Sequence, residues 1–158
     1  MGDRYMSTLI LLTALGSGLV AGVFFAFSSF VMKALGKLPA NEGISAMQSI
    51  NIVVLNPVFL GVMLGTAVAC GALVIISLLN WGDPRSGKLL VASLVYLVGT
   101  LLVTMAFNVP WNNALAAVDP GSAEGARLWA QYLDRWTIWN HVRGAAAVVT
   151  AALLTVAL

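Results

Sequence analysis

Long apolar stretches separated by shorter polar segments make up most of the chain. They lack the alternation of membrane β-strands, and about 20 helical residues are enough to cross the hydrocarbon core of a bilayer. The pattern therefore predicts an all-α protein, an integral membrane four-helix bundle that forms one domain over residues 1–158. The predicted spans cover residues 6–32, 52–79, 88–107 and 139–158.

The connections between the predicted spans differ in length and character. Residues 33–51 form a predicted loop of medium length, and residues 80–87 form a predicted tight turn. The connection 109–139 is the longest, and apolar and aromatic side chains follow helical spacing within its segment 122–136. This spacing predicts a short amphipathic helix between spans three and four.

Small residues recur at every fourth position in the first two spans. They are Ala14, Gly18, Gly22, Ala26, Gly61, Gly65 and Ala69. Small side chains let helix backbones approach closely in lipid. We therefore expect these faces to pack helices within the bundle, and they could also join copies of the chain in a homo-oligomer.

The composition supports a membrane location. The chain is 60% hydrophobic and only 9% charged, whereas a soluble domain carries about 25% charged residues. Its basic residues are scattered and lie near the ends of spans, which is typical of membrane anchoring and not of nucleic-acid binding. We expect a multi-pass protein whose partner is the lipid bilayer, in the bacterial inner (plasma) membrane.

Polar residues collect at one end of the predicted bundle. Up-and-down topology places at that end Ser28, Ser29, Gln48, Asn51, Asn56, Thr104, Asn108, Asn112, Asn113, Asn140, His141 and Arg143. The other end has only the turn 80–87 and the termini. We expect a shared cavity there, lined by Gln48, Asn51, Asn108, Asn112, Asn140, His141 and Arg143.

The last predicted span brings ionisable side chains to the membrane edge. Residues 144–158 are uncharged and reach only about 22 Å as a helix, so the span has to begin near Trp139. Asn140, His141 and Arg143 then lie at the edge of the hydrocarbon core or inside it, where ionisable residues are candidates for function. In the alternative interpretation, Arg143 extends to the headgroups beside an aromatic belt.

His141 is the only histidine in the chain. Histidine acts as a base, an acid or an axial metal ligand near neutral pH. A conventional multi-histidine metal site needs a second histidine, so we expect no metal site of that kind. One base among several amide donors suits a pocket for a lipophilic small molecule.

Four segments of the sequence resemble a known family. They are FAFSSFVMKALGKLP, MQSIN followed by NPVF, NVPWNNAL, and RWTIWNHVRG. Together they resemble the anthrone oxygenase-like family of small four-span membrane proteins, long catalogued as a domain of unknown function. The resemblance covers nearly the whole chain.

The resemblance implies an oxygenase. Some relatives oxidise anthrones to anthraquinones with molecular oxygen and no established organic cofactor. Carried over to this chain, His141 would be the base, and Arg143, Asn108 and Asn112 would hold the developing oxyanion. The predicted substrate-binding residues are Gln48, Asn51, Trp111, Trp139 and Asn140, with Trp139 stacked on a flat substrate.

The sequence thus leads to three hypotheses. The first is a membrane oxygenase or oxidoreductase that acts on a lipophilic small molecule with molecular oxygen. The second is a haem-binding or electron-transfer protein in which His141 is an axial ligand and Met47, Met105 or a partner subunit supplies the other. The third is a membrane protein without catalytic activity.

Overall fold

The structure is a computed structural model that describes residues 2–158. It is all-α, and no strand occurs in that range, which confirms the predicted class. Five continuous helices follow one another along the chain. They are α1 (2–35), α2 (Ala40–Val53), α3 (Pro57–Leu79), α4 (Ser86–Ala116) and α5 (Ala123–Val156).

The four long helices contact one another in the cyclic order α1, α3, α4, α5, and α5 makes extensive contacts with both α1 and α4. The short helix α2 packs across one end of this arrangement, against α5 and the last turns of α4. At the other end, the Arg85 guanidinium lies 3.0 Å from the Asp3 carboxylate. That ion pair places the start of α1 beside the turn between α3 and α4.

Three of the helices are long and apolar enough to cross a membrane. They comprise residues Asp3–Leu35, Pro57–Leu79 and Ser86–Ala116. The fourth predicted span lies within α5 and is not among them, because Asn140, His141 and Arg143 lower the hydropathy of the segment. Three helices are thus long and apolar enough for the protein to be a membrane protein.

The second predicted span begins later than expected. Asn56 caps α3, because its side-chain oxygen accepts hydrogen bonds from the amides of Val58 at 3.1 Å and Phe59 at 3.0 Å. Pro57 then occupies the first helical position, where a backbone N–H would have no partner within the helix, so proline loses no hydrogen bond there. Residues 52–56 thus lie outside α3, and α2 occupies most of the segment predicted as a loop.

The long connection between the third and fourth predicted spans is mostly helical. α4 continues past Pro110 to Ala116, whereas the third span was predicted to end at residue 107. A π-helical turn at Thr104–Asn108 precedes the proline, and such a widened turn accommodates a ring that would clash in a regular helix. The predicted amphipathic helix at 122–136 is the first part of α5, capped by Ser122.

The predicted packing of the small-residue faces is wrong for their four glycines. These are Gly18, Gly22, Gly61 and Gly65, which are exposed and have no neighbour near the position of a Cβ atom. Close approach occurs elsewhere. A Cβ on Gly99 would lie 2.6 Å from the Cβ of Ala146, and one on Gly16 would collide with the Thr66 hydroxyl. These two positions set the α4–α5 and α1–α3 separations.

Candidate functional site

Helix α5 buries one continuous face. The residues on it are Gly125, Trp129, Tyr132, Trp136, Asn140, Arg143, Ala147, Thr150 and Leu154. They are spaced three or four positions apart, as one face of a helix requires. The same periodicity turns Asn140 and Arg143 toward the neighbouring helices and turns His141, about 100° further round the helix, outward.

Arg143 is only 7% exposed, and its guanidinium is held by two neighbours. Its Nε and Nη2 atoms donate to Oδ1 of Asn140 at 3.0 and 2.8 Å. Its Nη1 atom donates to Oγ1 of Thr104 at 3.3 Å. A guanidinium has five N–H donors, and these three bonds leave two of them for another acceptor.

Asn140, on the same helix as Arg143, is itself anchored to helix α1. Its Nδ2 atom donates to the carbonyl oxygen of Phe24 at 2.8 Å and to Oγ of Ser28 at 2.7 Å. These bonds fix the amide so that its oxygen faces Arg143. Ser28 belongs to a π-helical turn, Phe27–Val31, and such turns often occur at functional sites.

Among the described residues, no carboxylate compensates the charge of Arg143. The ion pairs within residues 2–158 join only Arg85 to Asp3 and Asp83. The guanidinium carbon instead lies 4.0 Å from the ring centre of Phe24 and 5.0 Å from that of Trp136. Cation–π contacts contribute about 0.5–2 kcal/mol each, whereas burying an ion costs several kcal/mol. A negative charge brought to Arg143 would therefore be strongly stabilised.

An apolar cavity of about 170 Å³ lies beside Arg143. Most of its wall consists of apolar side chains from all five helices and from the α2–α3 link. Its polar lining residues are Asn51, Thr104, Asn112 and Arg143. An apolar cavity of about 150 Å³ admits a benzene ring, so this space suits at least one aromatic ring.

Asn112 presents a fixed donor to this cavity. Its Oδ1 atom accepts hydrogen bonds from the Tyr132 hydroxyl at 2.8 Å and from Nε1 of Trp136 at 2.7 Å. Because both bonds use the oxygen, the amide orientation is set. The Nδ2 group has no partner among the described side chains or backbone and remains available to a ligand. Asn51 donates to the same Tyr132 hydroxyl at 3.5 Å.

Asn108 is fully buried next to this network and lies outside the cavity wall. Its Nδ2 atom donates to the carbonyl oxygen of Trp136 at 3.1 Å. Its Oδ1 atom has no hydrogen-bond partner within residues 2–158. The residue thus ties α4 to the backbone of α5 at Trp136.

Four of the five predicted substrate-binding residues do not line the cavity: Asn140, which bonds to Arg143, and Gln48, Trp111 and Trp139. Gln48 donates to the carbonyl oxygens of Leu115 and Val118 at 2.8 and 3.1 Å, which ties α2 to the end of α4. The Trp111 ring meets Tyr132 edge-on at 6.5 Å. The Trp139 ring stacks on Phe107, with ring centres 3.5 Å apart. Each of these side chains therefore has a packing partner.

The structure does not bring His141 into the cavity. His141 is exposed, because it lies on the outward face of α5, and it lines a separate groove between α1 and α5. Of the seven residues expected around one cavity, three line it: Asn51, Asn112 and Arg143. Met47, the buried methionine of the haem hypothesis, lines the cavity and not the groove of His141, and Met105 is 60% exposed.

Three residues near Arg143 were not among the predicted site residues. They are Thr104, Tyr132 and Trp136, of which Thr104 and Trp136 line the cavity. The signal for two of them is the three-and-four spacing of the buried face of α5. Tyr132 and Trp136 precede Asn140 on that face, and their rings stack at 5.8 Å. Thr104 was expected at the polar end of the bundle but was not assigned to the site.

Comparison with known proteins identifies the family. The family model for anthrone oxygenase matches residues 56–153, which include Asn112, Asn140 and Arg143. A search of curated proteins and a search of solved structures each found no match. The matched segment covers more than half of the chain and contains half of the residues that line the cavity, Arg143 among them. The chain belongs to the anthrone oxygenase family.

Proposed function

We propose that the protein is a membrane-embedded oxygenase that inserts oxygen into an activated CH₂ group of a lipophilic aromatic ketone. The observation that carries this proposal is Arg143, a buried guanidinium without a carboxylate at the wall of an apolar cavity. An apolar wall suits aromatic rings. The guanidinium suits a ligand oxygen that gains negative charge during the reaction.

The proposed setting is a bundle of four spans, the fourth of them supplied by α5. The buried face of α5 continues from Arg143 through Ala147 and Thr150 to Leu154. Hydroxyl groups join it to its neighbours, because Ser17 donates to the Ala147 carbonyl at 2.9 Å and Thr150 to the Ala92 carbonyl at 3.1 Å. Interhelical bonds of this kind suit helices that pack within lipid.

The substrate would lie with its ketone oxygen toward Arg143. The two remaining guanidinium N–H groups and the Nδ2 group of Asn112 are donors available to that oxygen. Phe24, Phe27 and Trp136 provide aromatic walls, against which flat rings pack favourably. The Trp136 ring contacts Arg143 and donates to Asn112, so it links both donors.

The proposed reaction balances without a reductant. The CH₂ group that is activated by the ketone loses a proton, and its electron pair delocalises onto the ketone oxygen as an enolate held by Arg143. The carbanionic carbon then adds molecular oxygen and, after protonation, becomes a hydroperoxide. Loss of water from the hydroperoxide leaves a second carbonyl. One oxygen atom enters the product and the other leaves as water.

Arg143 would make the first proton transfer feasible. No aspartate, glutamate or histidine lines the cavity within the described residues, so the proposal does not use His141 as the base. The C–H proton instead passes to water at the cavity mouth near Leu55, which is 65% exposed. A cationic donor held in a water-poor site stabilises the enolate and thereby increases the acidity of the C–H bond.

Anthrone itself is the probe that tests the proposal. Purified protein in lipid nanodiscs is mixed with anthrone under ¹⁸O₂, and anthraquinone, oxygen uptake and the label are measured. We expect faster oxidation than in protein-free nanodiscs, one O₂ consumed per anthraquinone, and one ¹⁸O atom in the new carbonyl. A rate equal to that of empty nanodiscs for anthrone and its hydroxylated derivatives would refute the proposal.

A further inference from the structure

A second concave surface lies between α1 and α5. It is a groove of about 480 Å³ lined by residues of both helices, among them Ser28, Lys33, Lys37, Thr137 and His141. A neighbouring groove of about 450 Å³ shares Thr137 and His141 and adds Asp134 and Arg135. The two grooves form one surface, which we call the α1–α5 groove.

The α1–α5 groove is predominantly cationic. Lys33, in the last turn of α1, and Lys37, just after the helix, are exposed, and no carboxylate pairs with either of them in the part of the chain that the structure describes. Arg135 adds a third positive charge, and the exposed imidazole of His141 lies between the two parts. Among the described residues that line the α1–α5 groove, Asp134 alone is acidic.

Two hydroxyl groups of the α1–α5 groove lack the hydrogen bonds usual in helices. Serine and threonine hydroxyls in helices commonly donate to the carbonyl four residues earlier. Thr137 does not, and its shielded Oγ1 atom has no partner within residues 2–158. Ser28 accepts a hydrogen bond from Asn140 and donates to no group among the same residues. The Ser28 hydroxyl can therefore donate directly to an anion in the groove, and the Thr137 hydroxyl can do so once its side chain rotates toward the groove.

We infer that the α1–α5 groove binds the phosphate of an anionic phospholipid. The lysines lie at the C-terminal end of the first candidate span, where headgroups would be, and basic pockets between membrane helices hold such headgroups. The side chains of Phe30 and Ile138, 61% and 54% exposed, offer apolar surface for the acyl chains. A free phosphate ion has no acyl chains and would make no contact with that apolar surface.

Binding is measured by native mass spectrometry and by thermal shift on delipidated protein in detergent. The probes are dioleoylphosphatidylglycerol, dioleoylphosphatidylcholine and inorganic phosphate. We compare the double variant Lys33→Gln/Lys37→Gln with Lys88→Gln/Arg127→Gln, which loses the same charge from exposed positions elsewhere. The groove variant should bind phosphatidylglycerol about thirtyfold more weakly than the wild type, and the control should bind it equally well.

Thr137→Val keeps every charge and provides a second test if the lysine variant is unstable. It should weaken phosphatidylglycerol binding several-fold without changing binding of phosphatidylcholine. Equal affinities for the two lipids, or equal losses in the groove and control variants, would overturn the inference. Saturable binding of inorganic phosphate that abolishes the lipid preference would show a site for free anions and would overturn the assignment to lipid.

Discussion

At the scale of single residues, the contacts of Arg143 distinguish two roles, that of an anchor at a membrane interface and that of a site residue. An interface anchor needs only a positive charge on a flexible stem, and its head group lies in water. Arg143 is instead buried, and Asn140 takes two of its N–H groups in a fork that a planar guanidinium alone can offer. These contacts favour a role in the site.

Arg143→Lys should therefore insert into the membrane but lose most of its turnover. Lysine retains the charge and loses the paired donors to Asn140, and removal of one donor from a water-poor site costs about 10²–10³ in rate. Anthrone oxidation is measured at equal membrane abundance beside Arg127→Lys, an exposed arginine of the same helix, which should stay active. A fully active Arg143→Lys protein would return the residue to the role of an anchor.

Asn112 allows the loss of a ligand contact to be separated from the loss of structure. Asn112→Asp keeps an oxygen for the Tyr132 and Trp136 donors and replaces the unused Nδ2 donor by a second oxygen. We expect a melting temperature close to the wild-type value and at least a tenfold lower kcat/KM, because the new oxygen repels an enolate. The control is Asn113→Asp, at the exposed neighbouring position. Equal activities of the two variants would remove Asn112 from the site.

At the scale of secondary-structure elements, helical periodicity predicts part of the site. The spacing of Trp136, Asn140 and Arg143 puts all three on one face of α5, and it puts His141 on another. His141 was predicted to be the base because of its chemistry and the family resemblance, although the helical spacing already placed its side chain on a different face from Asn140 and Arg143. Ser28 and Thr104, the partners on other helices, were expected at this end of the bundle, but their contacts could not be predicted, because π-helical turns shift the faces of α1 and α4.

Helix α2 was missed because its first turns contain residues that are typical of loops. Pro39 precedes it and Gly43 lies within it, and a glycine inside a helix costs about 1 kcal/mol relative to alanine. The structure explains the glycine. A Cβ atom at position 43 would lie 2.9 Å from Cζ2 of Trp129 and 3.0 Å from the carbonyl oxygen of Leu35. A tertiary contact thus outweighs local propensity.

Gly43→Ala should consequently destabilise the protein in spite of the better helix propensity of alanine. The new methyl group would push Trp129 away from its stacked position against Tyr132, and overpacking of this kind costs about 1–3 kcal/mol. Gly18→Ala is the matched control, because nothing lies within 4 Å of its Cβ position. Thermal unfolding in detergent should show a lower midpoint for Gly43→Ala only. Equal midpoints for the two variants would contradict the close contact at Gly43.

At the scale of the whole molecule, the two ends of the helix arrangement have different chemistry. The end with α2 contains the cavity and the α1–α5 groove. The other end is closed by Arg85, whose guanidinium binds Asp3 and Asp83. The sequence predicted this asymmetry of polar residues, since it follows from the alternating direction of apolar segments. The depth of each residue was not predictable, because it depends on where the helices bend and pack.

The ion pairs of Arg85 predict that the thermal stability of the protein depends on pH. Hydrogen bonds from Arg85 lower the pKa of Asp83 below its usual range. A carboxyl group with a lowered pKa stabilises the fold above its unfolded pKa of about 4, and this contribution is lost as the pH falls through the folded value. Asp83→Asn should therefore melt slightly below the wild type at pH 7 and together with it in strong acid. If the melting temperatures of the two proteins differed by the same amount at every pH, the ionised Asp83 carboxylate would not be the source of the difference.

Cysteine labelling can test whether α5 crosses the membrane as a fourth span. The turn with Asp83 and the C-terminal part of α5 lie at one end of the helices, since Leu154 packs with Ile10 and Leu89. The segment with Gly121 precedes α5, whose 34 residues extend over about 51 Å. A helix of this length can cross the bilayer and still project beyond it.

Single cysteines at positions 83, 121 and 158 are introduced into a Cys70→Ala background, because Cys70 is the only native cysteine. With four spans, a membrane-impermeant maleimide should label positions 83 and 158 from one side of the membrane and position 121 from the other. With three spans, position 158 would share the side of position 121, and Arg143 would lie outside the hydrocarbon core. The labelling of position 158 relative to position 83 thus decides whether α5 brings its buried guanidinium into the membrane, where a water-poor site for an enolate can exist.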